Sequence, residues 1–215
     1  MNKGLNKVNK EIIDSIYPRL QEIETIKHNY TRNLFGKLKG NIVANVITKA
    51  IQNIIDTHNL SYKVSIVNSF VNGFPTEWDL LILDKNAKGI SGINLYNPED
   101  VYAVVEFKTG GKPNFKYKEI SEKQFFQEQH SKYFDIVKEI SEKANHEILY
   151  LYIGFSYWPN YFKACRDYFD ESNNSKYPTA FVFLNDQSKN YPNEIMDDCY
   201  DFEKFILDLL KNIKR

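Results

Sequence analysis

Hydrophobic positions along the chain repeat first at helical and then at strand spacing. Leu5, Val8, Ile12, Ile16, Leu20 and Ile23 recur at steps of three and four, which predicts an amphipathic helix over 5–27. Pro18 is expected to kink or split it. The stretch "RNLFGKLKGN", with its glycines and basic residues, predicts a break. A second helix is expected at about 40–57, with Ile42, Val43, Val46, Ile47, Ala50, Ile51, Ile54 and Ile55 along its buried stripe. The period then changes to two. "SYKVSIVNSFV" (61–71) predicts one strand with Tyr62, Val64 and Ile66 on one face. Gly73 and Pro75 mark a turn, and 77–84 and 101–109 predict further strands around a polar loop at 85–100. A helix over 119–144 follows, then a strand at 147–157 that is apolar on both faces and so expected to be central. A short helix near 159–170, a strand at 179–185 and a helix at 200–213 complete the order αα-βββ-α-β-α-β-α. This is an α/β fold with a mixed sheet flanked by helices.

Composition bounds the function. The chain has 215 residues, enough for one domain with a sizeable core. Lys plus Arg and Asp plus Glu both number 28, so binding to nucleic acid would need a local basic face. The aromatic share of 15% is read first as core and surface packing rather than base stacking. Cys165 and Cys199 have neither zinc-site spacing nor the makings of a disulfide framework. The N-terminal stretch lacks the apolar region of a signal peptide, and no apolar run reaches about 20 residues. A cytoplasmic protein without membrane contact is expected.

The chemistry concentrates on two neighbouring expected strands. Asp79 heads the apolar "LLILD", and Glu106 and Lys108 follow "VYAVV". Residues i and i+2 of a strand share a face, so Glu106 and Lys108 emerge side by side. If the strands pair, Asp79 joins them. Two carboxylates and an ammonium suit phosphodiester hydrolysis aided by a hard divalent cation, Mg²⁺ or Mn²⁺. Asp79 and Glu106 would be its ligands, with the Phe107 carbonyl a further oxygen. Lys108 would orient or deprotonate the water, or stabilise the transition-state charge. A Glu-x-Lys pair is also common as a surface ion pair. Here the apolar approach to Glu106 would bury it, and an unpartnered buried carboxylate is costly.

An Asp at the head of an apolar strand, then a loop, then hydrophobic-Glu-x-Lys resembles the PD-(D/E)xK nuclease superfamily, with Trp78-Asp79 in place of Pro-Asp. The likeness covers roughly 35–157 and looks closest to an uncharacterised bacterial and phage branch. It implies a restriction-endonuclease-like domain: an N-terminal helical segment (1–35), a nuclease core (36–157) and a C-terminal α-β-α extension (158–215). It also implies a metal-dependent endodeoxyribonuclease of restriction, phage-defence or repair type, acting on DNA, with a homodimer where both strands are cut. Gln129 and Tyr133 resemble the Gln-x-x-x-Tyr pair of the RecB-like branch, and i and i+4 share a helix face. Tyr133 also fits the apolar stripe. Lys112, after Gly110-Gly111, and Lys39, in "GKLKG", are candidate phosphate contacts, with turn chemistry and a solvated basic loop as the plainer readings. Glu77 shares the face of Asp79, Asp84 is expected to cap its loop, and His130 is expected on the surface. Many members of the superfamily carry a Glu on the helix before the first strand. Here Asn41 and Asn45 stand there. This departure supports an alternative: a weak or inactive nuclease-fold module that binds nucleic acid or a protein.

Overall fold

The computed structural model describes residues 7–109, 122–156, 178–184 and 201–213. Helix α1 spans Lys7–Thr25 and buries Ile12, Ile13, Ile16 and Leu20. Pro18 lies within it without ending it. Both Pro18 and Asp14, whose carbonyl Pro18 leaves unbonded, are exposed, so water can satisfy that carbonyl. Helix α2 spans Arg32–Thr57, well ahead of the expected start at 40. The Thr31 hydroxyl caps it by accepting the Leu34 N–H at 3.4 Å. The expected break at 36–40 is therefore corrected. Each glycine costs a helix only about 1 kcal/mol against Ala, less than the packing of the long Val43–Ile55 stripe returns.

The expected strand at 61–71 is two strands in different sheets: β1 (Tyr62–Val64) and β2 (Ser69–Val71). Between them Ile66 is 67% exposed, so it does not share the buried side of Tyr62. Asn68 there adopts φ 64°. This left-handed residue turns the chain out of the first sheet, and Asn tolerates the conformation better than most. The expected strand at 77–84 also divides, into β3 (Glu77–Trp78) and β4 (Leu80–Asp84), with Asp79 at the bend. The loop at 85–100 contains β5 (Leu95–Tyr96) and two short 3-10 turns. Strand β6 spans Val101–Thr109, as expected. Helix α3 (Glu122–Ala144), β7 (Leu149–Ser156), β8 (Pro178–Leu184) and α4 (Phe202–Asn212) follow. The helix expected near 159–170 lies outside the described residues.

The main sheet has the order β1-β4-β6-β7-β8, and β3-β2-β5 form a second, small sheet. Strand β4 is antiparallel to β1 and β6, whereas β6, β7 and β8 run parallel. The sheet is thus mixed, and β7 is internal. Alternation along each strand divides two cores. Leu80, Ile82, Val105, Phe107, Leu151 and Ile153 pack with α1, α2 and α4. Leu81, Leu83, Val104, Tyr150 and Tyr152 pack with Val137 and Ile140 of α3 on the other face. The Glu106 and Lys108 side chains share the parity of Val104 and so belong to the α3 face. Among the described residues no helix is long and apolar enough to cross a membrane.

One buried polar contact locks the helical layer. Asn9 of α1 is 2% exposed, and its Oδ1 accepts the Phe202 N–H at 2.9 Å at the start of α4. Asn9→Ala would remove that acceptor. We expect it to lower unfolding free energy by about 1–3 kcal/mol in urea titration, without altering chemistry at the opposite face of the sheet.

Candidate active site

The bend between β3 and β4 exists because the chain changes sheets there. Three hydrogen bonds fix it from behind. The Asn68 N–H donates to the Asp79 carbonyl at 3.2 Å, and the Ser65 N–H donates to Leu81 O at 2.9 Å. The Ser65 hydroxyl also accepts the Leu81 N–H at 2.9 Å. Asp79 is therefore carried on a braced corner rather than a free loop. Strands β4 and β6 pair with Leu80 opposite Val105, which brings the next positions outward, Asp79 and Glu106, to the same end.

The side chains then meet. Asp79 Oδ2 accepts the backbone N–H of Phe107 at 2.6 Å, between the two motif residues of β6. Lys108 Nζ lies 2.7 Å from Glu106 Oε1. Glu106 is 7% exposed, whereas the Lys108 side chain is 45% exposed and reaches toward solvent. The structure thus brings Asp79, Glu106 and Lys108 together.

The electrostatics show a site with excess negative charge. Burial, and then the nearby Glu106 carboxylate, push Asp79 up to about 6. The Phe107 N–H and the Lys108 ammonium only partly oppose that rise. Burial pulls Lys108 down, but the Glu106 charge and hydrogen bond, with Asp79, outweigh it and leave its pKa above the ordinary value. Lys108 is accordingly an ammonium at neutral pH, suited to donate and to stabilise negative charge rather than to take a proton.

Among the described residues no three His, Cys, Asp or Glu side chains form a metal cage. Mg²⁺ does not need one. It binds through one or two carboxylates and keeps several waters. Two hard oxygen donors, of which Asp79 is raised by burial and then by the charge of Glu106, fit such an ion, which would offset both.

Of the other expected contacts, Tyr133 is brought near the trio, where it acts electrostatically on Lys108, and Lys39 is not. Tyr133 is half-buried on α3, 5.5 Å from the Trp78 ring and stacked on Tyr150 at 6.0 Å, with Lys132 Nζ 4.7 Å above it. Gln129 belongs to α3, but its side chain lies outside the described residues, as does all of Lys112. Lys39 pairs with Glu24 of α1 and lies 4.8 Å from the Phe35 ring, on α2, whose Val43–Ile55 stripe packs on the other face of the sheet from Val104. Asn41 and Asn45 are exposed on the same helix. Glu77 is exposed and adds a weaker repulsion to Asp79. Asp84 turns away, its Oδ1 accepting the Asn86 N–H at 2.8 Å as a loop cap.

His130 is corrected from surface to interior. It is 2% exposed, and burial, followed by the Lys108 and Lys132 charges, lowers its pKa to about 3. Helical spacing carried the signal, since His130, Phe134, Val137 and Ile140 follow one stripe.

The fold has solved counterparts. NucC from P. aeruginosa ATCC27853, in its cAAA-bound form, is 15% identical, with 98% of this chain and 91% of that one covered at a TM-score of 0.55. NucC from E. coli MS115-1, also cAAA-bound, is 14% identical over 98% and 90% of the two chains, with a TM-score of 0.53. The chain shares the NucC fold. At these identities the likeness concerns architecture: a mixed sheet flanked by helices, in keeping with the resemblance noted from the motif. No family model and no curated protein matches the sequence.

Proposed function

We propose that this protein is a Mg²⁺-dependent nuclease that hydrolyses DNA phosphodiester bonds. The observation that carries the reading is the Asp79 carboxylate seated on the Phe107 N–H, between Glu106 and Lys108. That contact places two carboxylates and a protonated lysine at one end of a buried, stiff strand pair. The shared fold with NucC supports it.

A bound divalent cation would supply Lewis acidity and a water more acidic than bulk water. Asp79 and Glu106 would hold that ion, with the Phe107 carbonyl as a third oxygen. Lys108, kept charged by Glu106, would face the negative charge that develops as water attacks phosphorus and the bond to the leaving oxygen breaks. The apolar floor of Leu81 and Val104 limits water behind the site. The balanced net charge means that DNA must be met by local groups; among the described residues Lys108 and Lys132 both lie close enough to His130, on the trio's side of the sheet, to act on it.

The test is cleavage of supercoiled plasmid and of single-stranded DNA by the full chain. Mg²⁺, Mn²⁺ and EDTA form three arms. Because both NucC structures hold cAAA, each arm is run with and without it. Nicked or linear product with Mg²⁺ or Mn²⁺, and none in EDTA, is expected. Cleavage indifferent to EDTA would contradict the metal reading. Salt-sensitive binding without cleavage in any arm would favour the binding module.

A further inference from the structure

Behind the trio lies a buried histidine that the chemistry above does not use. His130 Nδ1 is 2.9 Å from the Tyr150 hydroxyl. Its ring meets Tyr152 nearly perpendicularly at 4.9 Å and Tyr150 at 5.9 Å. The two tyrosines alternate along β7 and so point to one face of the sheet. Each leads to a different acid. Tyr150 packs at 6.3 Å on Trp78, the residue before Asp79. Tyr152 is the register partner of Glu106 across the parallel β6–β7 pair. One line of packed side chains therefore runs from the Asp79 corner to the Glu106 strand, and His130 is its polar joint.

The choice of residue is informative. A buried imidazole carries a desolvation cost that Leu or Phe in the same volume would not. Its bond to Tyr150 offsets that cost and gives the buried hydroxyl a partner. The same bond fixes the rotation of both rings, which apolar packing alone would not. Rings with one allowed orientation hold the backbone beneath them to one spacing.

We infer that His130 is a positioning residue: through Tyr150 and Tyr152 it sets the spacing of Asp79 and Glu106 at which a divalent cation is held. The inference rests on the metal-binding reading of that site. Outer-shell groups that orient ligands characteristically contribute about 10–100-fold to metal affinity. His130 would act one step further out, so the lower part of that range applies.

Mn²⁺ affinity, read from the free-ion EPR signal, tests this on the full chain. The proteins compared are wild type, His130→Phe, Tyr150→Phe and the double variant, with Asp79→Asn as the ligand-loss control. Tyr150→Phe removes one oxygen and keeps the ring, so it tests the bond even if His130→Phe folds poorly. Each single change is expected to raise the Mn²⁺ Kd by about 10-fold. The double variant should be no worse than the weaker single, because both remove the same bond. DNA cleavage at saturating DNA should fall while the KM for DNA stays. A fall in Tm with unchanged Mn²⁺ affinity in both single variants would make the bond a packing feature and overturn the inference alone. A wild type that takes up no Mn²⁺ would overturn both the inference and the metal reading.

Discussion

Lys108→Met is expected to lower DNA cleavage by about 10²–10³-fold while Mn²⁺ binding persists. Glu106→Gln is expected to lose both. The difference follows from where the two side chains sit. Glu106 is almost fully buried beside the Asp79 corner, where in the proposed reading its oxygens would serve the ion. Lys108 reaches out past it, half-exposed, with its ammonium at 2.7 Å from the same carboxylate. In the proposed mechanism, removing the ammonium would take a positive group from the transition state and leave both carboxylates in place. Lys108→Arg should rescue little, because a planar fork does not occupy the place of a compact ammonium. Cleavage rates by single-turnover assay, with Mn²⁺ affinity measured on the same samples, check the split. Equal loss of metal in both variants would assign Lys108 a role in binding the ion.

The second large effect concerns stability. Asp79→Asn is expected to make the metal-free protein more stable at pH 7. The folded-state pKa of Asp79 is about 6, against the ordinary 3.8. A raised acid binds its proton more tightly in the folded state than in the unfolded one. Stability from this group is therefore full at low pH and is lost as pH rises from about 4 through 6. Above that range the ionised carboxylate costs up to about 3 kcal/mol, which Asn does not incur, while its amide oxygen still accepts the Phe107 N–H. At the full 3 kcal/mol the variant should melt about 6–12 °C above wild type at pH 7 in EDTA, on the order of 2–4 °C per kcal/mol. The gap should close near pH 4. Mg²⁺ should narrow it from the other side by stabilising wild type and not the variant. Calorimetry across pH checks all three. A wild type more stable than the variant at pH 7 without metal would contradict the charge excess assigned to the site.

Much of this was legible from residue spacing, and the failures share a cause. Strand β6 matches its expected bounds because "VYAVVEFKT" is buried on both faces and ends in polar residues. The Glu106–Lys108 pair was legible because i and i+2 on a strand share a face whatever the remainder of the fold does. The sheet change at 65–68 was not. A period-two pattern reports that a segment is extended, not which sheet it joins, and the turn depends on one left-handed residue, Asn68. Asp79 gains its position from that same change, since β3 and β4 belong to different sheets. The helix through Gly36 and Gly40 was hidden because local propensity argued for a break that tertiary packing overrides. His130 taken alone suggests a surface residue, whereas its place on the stripe of Phe134, Val137 and Ile140 marks it as buried. Its tie to Tyr150 lies 20 positions along the chain, beyond any local pattern.

Anomalous diffraction from crystals of the full chain soaked in Mn²⁺, at a concentration that supports cleavage, tests the central claim most directly. The account predicts a peak ligated by one oxygen each of Asp79 and Glu106, at about 2.0–2.2 Å, with waters completing the shell. No peak between these carboxylates, or a peak held by other residues alone, would contradict it.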